Sequence, residues 1–355
     1  MTTQRRDRAT IEDVASAAGV SVATVSRALR GLPNVATSTR QRVKDVAEQL
    51  NYSPDPAAAR LAAGHTRTVT VVVPHLNGWY ISNVVAGAEA LCSDAGYDVL
   101  IVGIGSSADF SRLLSASYQL ERRTDGLIVI EVPVAEHEAE SLASRGISLA
   151  TVGVAAAGHP AIRIDNIEVG HIAARHLVEL GHDRVALIGV QKQPLHSDVA
   201  VDRRRGYVEG LSELGVELDP SMFVEGDFGI DAGQEAMAAL LVARIPPTAV
   251  FSLSDEMAFG ALIEMKRRGL EPGTDVSIMG VDDHAFSRVV DLTTISHGVA
   301  EHGIAAARLL LAQMARGHAD RRASTDDHQG VDLGTASQPA MPITLVRRAT
   351  TAAVR

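Results

Sequence analysis

The 355-residue sequence holds one cysteine, Cys92, and one tryptophan. A lone cysteine forms no intrachain disulfide and leaves no thiolate set for structural zinc, so a disulfide scaffold is excluded and a reducing, cytoplasmic setting is expected. Lysine is scarce, 3 against 30 arginines, which reads as a composition bias rather than a mechanism. No apolar run approaches the roughly 18 residues a membrane-spanning helix needs, and Met1 to Thr10 is polar and basic, so neither a secretory leader nor an anchor is expected. Catalytic signatures are missing too: there is no His-Glu-x-x-His, no cysteine pair and no Gly-x-Ser-x-Gly elbow. His171, His176 and His182, spaced by five and six, cannot share one helical face and read as surface or capping residues rather than metal ligands. No enzyme, metal or cofactor is expected.

What is present is a globular balance, 46% apolar and 21% charged, over a length that suggests two or three domains. The net charge of −10 is unevenly spread: residues 1–67 hold ten Arg and Lys against six Asp and Glu, net +4, which leaves −14 for the rest. A basic head on an acidic body is suited to meet a polyanion through the head alone.

The head reads as two short amphipathic helices broken at Gly19. Thr10, with Asp13 three residues on, can cap the first, whose buried face would be Ile11, Val14, Ala15 and Ala18. Gly19 allows the positive φ that ends a helix, and Ser21 can cap a second helix with Val25 and Leu29 inward. A third helix, Thr37 to Leu50, would close the core through Val43, Val46, Ala47 and Leu50. Two helices of this length on a glycine-containing turn form a helix-turn-helix, which sets its second helix in the major groove. After it, Pro54 to Thr66 reads as a short helix, alanine-rich, with Pro56 in its first turn and Gly64 as its stop.

From Val69 the pattern changes. Apolar runs at Val69–Val73, Val99–Val102, Leu127–Ile130, Leu149–Val152, Val185–Ile188, Ala249–Phe251 and Val276–Met279 alternate with helical stretches such as Ile81–Ala95 and Asp255–Arg268. That alternation predicts parallel sheets with helices on both faces, in two α/β lobes with a crevice between them, and ligands of such sheets bind at the strands' carboxyl ends. Residues 317–341, polar and rich in Asp, Ser, Gln and Gly, read as an inserted loop. No leucine heptads close the chain, which argues against a tetramerising coiled coil.

Thr10 to Leu29, followed by Asn34, Val35, Thr39, Arg40, Val43 and Tyr52-Ser53-Pro54, resembles the DNA-binding head of the lactose-repressor (LacI/GalR) family of bacterial transcription regulators. The likeness runs on through Asp165-Asn166, His176-Leu177, Leu180-Gly181-His182, Arg203 with Gly206-Tyr207, Glu225 to Phe228, Asp255 to Ala258, Gly280 to Asp283 and Leu292-Thr293-Thr294. The resemblance implies a helix-turn-helix head over 1–53, a hinge over 54–67 and a two-lobe, periplasmic-binding-protein-like sensor over 68–355. Lobe 1 would span about 68–164 and 295–325 and lobe 2 about 165–293 and 340–355, with crossings near Asp165, near Thr294 and before Pro342. It implies a homodimeric regulator, a repressor by expectation, on a pseudo-palindromic double-stranded operator. Val22 and Ala23 would face base edges, and Arg27 a guanine or phosphate. Ser21, Thr24 and Ser26 would hold phosphates, with Thr10, Asn34 and Arg60 also at the DNA and Leu61 wedged into the minor groove. A small effector, a sugar or related metabolite, would meet Arg203, Phe228, Ser254 and Asp282 from lobe 2 and Trp79 or Tyr80 from lobe 1.

Four positions depart from the family, one of them Val169, which replaces the usual glycine with Gly170 beside it. Ala36 stands where a serine usually caps the third helix, so Thr37 or Ser38 would cap instead. Ser254 replaces a frequent asparagine. Gly153 replaces an acid common in sugar-responsive members, leaving fewer groups for a polyhydroxyl ligand. Two alternatives stand beside this reading. Gly103-x-Gly105-x-x-Ala108 after a strand could wrap the pyrophosphate of a nicotinamide cofactor in a dehydrogenase, and the body could be a solute-binding protein under an inert head.

Overall fold

The computed structural model describes residues 9–52, 65–115, 118–190, 198–323 and 340–354, and divides into two compact units, Met1–Thr66 and Arg67–Arg355.

The first unit is three helices, α1 (Ile11–Ala18), α2 (Val22–Leu29) and α3 (Thr37–Gln49). Thr10 and Asp13 form a reciprocal capping box on α1, Gly19 ends it at φ 62°, and the Ser21 hydroxyl accepts the Thr24 N–H at the start of α2. The core is Val14, Ala15, Ala18, Val25, Ala28, Val43 and Ala47. Three expectations are corrected. Ala28, rather than Leu29, is the fully buried partner of Val25, Leu29 being half-buried against the same core; Leu50 is 38% exposed, lying one residue past the end of α3. Neither Thr37 nor Ser38 caps α3, which begins at Thr37 with Ala36 in the cap position and no side-chain cap.

The second unit holds two sheets. The first has order β2-β1-β3-β4-β5, from β1 (Thr68–Val73), β2 (Asp98–Gly103), β3 (Gly126–Ile130), β4 (Ser148–Val152) and β5 (Ala161–Ile162), all parallel. Its strands alternate. Val69, Val71, Val73, Ile128 and Ile130 face the core under α4 (Trp79–Asp94) and α11 (Val299–Ala323), while Val72, Leu127 and Val129 face the side covered by α5 (Ser107–Leu114) and α6 (Glu136–Ser144). The second sheet has order β11-β10-β9-β8-β6-β7, from β6 (Val185–Val190), β7 (Phe223–Gly226), β8 (Ala249–Ser252), β9 (Ser277–Val281), β10 (Thr293–Ser296) and β11 (Thr344–Val346). It is flanked by α7 (Asn166–Glu179), α8 (Val199–Glu213), α9 (Ile230–Leu241) and α10 (Asp255–Arg267). β7-β6-β8-β9-β10 repeats the order of the first sheet, so each lobe reverses its strand order beside its first strand, where open α/β sheets bind ligands.

All seven expected runs are strands. β11 departs from the all-parallel expectation: it pairs antiparallel with β10, from a segment with no apolar run to announce it. β10 keeps Ile295 and Ser296 in the second sheet, so the second crossing falls at His297–Gly298 rather than near Thr294. Residues 317–323, expected in a loop, continue α11 as helix. His176 and His182 are buried at 4% exposure instead of lying at the surface. His176 Nε2 meets the Thr351 hydroxyl, and His182 meets Thr248, Ser277 and the Ala352 carbonyl, so both tie down the last residues of the chain. His171 is the outlying one, near Glu168 and Glu209.

Candidate functional site

In the first unit, burying Val25 and Ala28 turns the other side of α2 outward. Val22 is 40% exposed, Ala23 and Arg27 are exposed on the same side one turn apart, and Thr24 and Ser26 are half-covered at its margin. Ser21 and Thr24 hydroxyls share a 2.9 Å hydrogen bond that fixes their rotamers at the helix start. The turn into α3 is built by Asn34 in the left-handed region at φ 66°, and by Arg40, whose guanidinium donates to the Gly31 and Leu32 carbonyls. Thr10 is exposed but occupied by its capping box. Arg60 and Leu61 lie outside the described residues.

In the second unit, the two lobes enclose a cleft with an empty volume, open mouth included, of about 820 Å³. Its walls are carboxyl-end residues: Pro74 and His75 follow β1, Glu131 follows β3, Phe228 follows β7, Ser254 follows β8 and Asp282 follows β9. Tyr80 and Ile81 from the start of α4 face Val199 and Arg203 from the start of α8. Two of these acids sit in strained backbone, Glu131 at φ 57° and Asp282 at φ 115°, a conformation non-glycine residues hold only where the surroundings impose it.

Arg203 is 5% exposed. Its Nε donates to Asn166 Oδ1 at 2.9 Å and its Nη1 to the Leu253 carbonyl at 2.6 Å, and Nη1 stands 4.0 Å from Asp282 Oδ1. Glycines set this up: a Cβ on Gly206 would run into the Ile167 carbonyl and one on Gly170 into the α8 backbone, so only glycine lets α7 and α8 close and bring Arg203 against Asn166. Asp282 takes hydrogen bonds from the Asp255 N–H and from His297 Nε2 at 3.1 Å. Burial pushes its carboxyl up, and the Arg203 guanidinium pulls it back. Asp255, fully buried at the start of α10, accepts the His284 N–H, the Ser287 hydroxyl and the Thr294 hydroxyl at 2.6–2.8 Å, so it holds the loop that follows Asp282. Burial and then the Asp282 charge push its carboxyl up as well.

Five of the six expected effector residues line this cleft: Tyr80, Arg203, Phe228, Ser254 and Asp282. Ser254 also caps α10, accepting the Met257 N–H. Trp79 is placed differently. Its ring lies tilted against His284 of the second lobe, centroids 4.5 Å apart, and its backbone N–H donates to Glu256 Oε2 at 3.3 Å, so it joins the lobes beside the cavity.

The cofactor alternative fails on geometry. β2 is an edge strand rather than the strand beside the order reversal, and the Gly105 N–H and Ser106 hydroxyl already donate to the Asp109 carboxylate, an anion where the pyrophosphate would sit. The Ser106 hydroxyl caps α5, accepting the Asp109 N–H.

Comparison with known proteins then decides the lineage. Residues 10–55 match the model for bacterial regulatory proteins of the lacI family, and residues 174–351 match the periplasmic binding protein-like domain. The repressor CytR of Escherichia coli K12 is 35% identical over 315 residues, 87% of this chain and 91% of its own. The chain belongs to the lacI family of bacterial regulatory proteins. Among other lacI-family relatives, catabolite control protein A of Priestia megaterium is 32% identical over 86% of this chain and 92% of its own. The lac repressor dimer bound to operator and the anti-inducer ONPF superimposes with a TM-score of 0.78 at 26% identity, over 98% of this chain and all of that one. The CelR–cellobiose complex does so at 0.63 and 28% identity, over 97% of this chain and all of that one. This lacI-family chain is therefore a DNA-binding transcriptional regulator controlled by a small molecule; its relatives are repressors and not enzymes, which leaves neither the dehydrogenase nor the inert-headed solute binder standing. Among the described residues no helix is long and apolar enough to cross a membrane.

Sequence reasoning missed Glu131, Glu256, His297 and His302. Glu131 is the instructive one. Its carboxylate fills the space that a side chain at Gly153 would take, and it accepts the Tyr80 phenol, whose pKa burial and this neighbour raise well above 10. The cleft has therefore not lost the acid that Gly153 lacks; the neighbouring strand supplies one. The glycine was the visible signal, and the acid one strand away was not.

Proposed function

We propose that the protein is a cytoplasmic, homodimeric repressor whose grip on a pseudo-palindromic operator is set by a sugar or related metabolite bound between the lobes. In this reading Val22, Ala23 and Arg27 of α2 meet base edges, Ser21, Thr24, Ser26, Thr10 and Asn34 hold the backbone, and Arg60 and Leu61 enter the minor groove. The observation that carries the sensor half is that one cavity takes Tyr80 and Glu131 from the first lobe and Arg203, Phe228, Ser254 and Asp282 from the second. A ligand touching both lobes favours the orientation in which all its contacts are made, a coupling of typically 1–3 kcal/mol. The cellobiose held by CelR supports a sugar as the first class to test.

The test is a gel-shift titration of the full-length protein against DNA upstream of its own gene, at low and physiological salt, followed by a metabolite screen. Binding should weaken steeply with salt and change on addition of one metabolite. Salt-independent binding, or a footprint that survives removal of residues 1–66, would refute the reading.

A further inference from the structure

The lining of the cleft carries more acids than bases. Among the described residues Glu131, Glu256 and Asp282 line it against one guanidinium, Arg203, whose Nε and Nη1 are already committed to Asn166 and Leu253. Past Tyr80 a smaller recess continues, lined by Glu131, Gly153, Arg203, His297 and His302, with the solvent-exposed Arg163 at its edge.

The two histidines of this recess form a hydrogen-bonded chain that leaves one acceptor over. His297 Nε2 lies 3.1 Å from Asp282 Oδ1, its Nδ1 lies 3.3 Å from His302 Nε2, and the same His302 Nε2 lies 2.9 Å from the His297 carbonyl. One tautomer serves the chain: His297 donates from Nε2 to the carboxylate, and His302 donates from Nε2 to the His297 Nδ1 lone pair and carbonyl. His302 Nδ1 is then a buried lone pair with no hydrogen-bond partner. His302 is 2% exposed, and burial holds both rings neutral, with pKa values down to about 3 for His297 and about 4 for His302. The Glu131 carboxylate, pressed over Gly153, adds oxygens that accept more than one donor. Apolar walls from Ile81, Val190, Val199 and Phe228 complete the cavity. An anion entering the cleft would be desolvated among Glu131, Glu256 and Asp282, with Arg203 as the one guanidinium of that lining, whereas a hydroxyl or amino hydrogen would find acceptors there.

We infer that the effector is a ring-bearing molecule that inserts hydrogen-bond-donating groups, hydroxyl or amino, into the Glu131–His302 end, and that phosphorylated and carboxylated metabolites are rejected. This rests on the reading of the cleft as the effector site.

Calorimetric titration of the full-length protein with matched probes tests it: ribose and ribose 5-phosphate, glucose and glucose 6-phosphate, adenosine and adenosine 5′-monophosphate. At least one uncharged member should bind, with its phosphate ester at least tenfold weaker. Glu131→Gln, which turns an acceptor oxygen into a donor, should weaken the uncharged member about tenfold. A phosphate ester that binds as well as its parent, or a panel in which nothing binds, overturns the inference; if Glu131→Gln does not fold, the wild-type pairs decide alone. Phe228→Ala separates the two failures: binding that this cleft-wall variant leaves unchanged lies elsewhere, and then the site assignment has failed, not the charge argument.

Discussion

At Arg27 a single exposed guanidinium carries most of the hydrogen-bonding capacity of the recognition face, because its neighbours Val22 and Ala23 have none to offer. Arg27→Ala is expected to lower operator affinity by about 1–3 kcal/mol in a gel-shift titration, with the fold intact. Arg203 behaves differently because it is buried. Arg203→Lys keeps the charge but loses the fork that serves Asn166 and Leu253 together. Operator binding should persist while its response to the effector is lost, and urea melts should show a loss of about 1–3 kcal/mol from the unsatisfied partners. His302 makes a pH prediction. Its pKa falls from 6.5 to about 4 on folding, so below pH 6.5 the unfolded chain takes up a proton that the native state refuses, and stability drains away as pH falls towards 4. His302→Asn removes that linkage, so the stability gap between wild type and variant should narrow by about 2 kcal/mol between pH 7.5 and pH 5 in denaturant melts.

Among elements, the α7–α8 contact is the one the site depends on most. Gly170 and Gly206 let the two backbones touch, and the opposing groups are main-chain atoms that cannot swing aside. Gly206→Ala should therefore cost about 1–3 kcal/mol and blunt effector binding together, since Arg203 stands one turn before it; thermal melts and titration of the same sample check this. The same scale shows what was legible. Thr10, Gly19 and Ser21 announce their helix ends because a cap is made within three or four residues. The seven apolar runs announce strands because a strand covered on both faces is apolar throughout. β11 could not be read: Thr344–Val346 is half-covered, and only its neighbour β10 makes it a strand.

For the whole molecule, the sole tryptophan is placed to report on lobe orientation. Trp79 leaves the first lobe to pack against His284 of the second, and His284 in turn meets Phe259 and Phe286. Binding of an effector that rotates the lobes should shift Trp79 emission, and His284→Ala should abolish most of that shift without removing operator binding. Emission that does not change while the operator is released would show that the lobes do not move at this contact.

Whatever depends on neighbours along the chain was settled by the sequence: the three-helix head and its turn, the alternation of strands and helices, and the basic and acidic halves. Only tertiary structure could decide which acid fills the space over Gly153, that His297 and His302 chain Asp282 to the first lobe's helix α11, and that Trp79 belongs to the joint and not to the cavity wall. The reason is range. Capping and periodicity are read within one or two turns, whereas Glu131 and Gly153 meet because β3 and β4 lie side by side, and Trp79 meets His284 because the strands of both sheets end at one cleft.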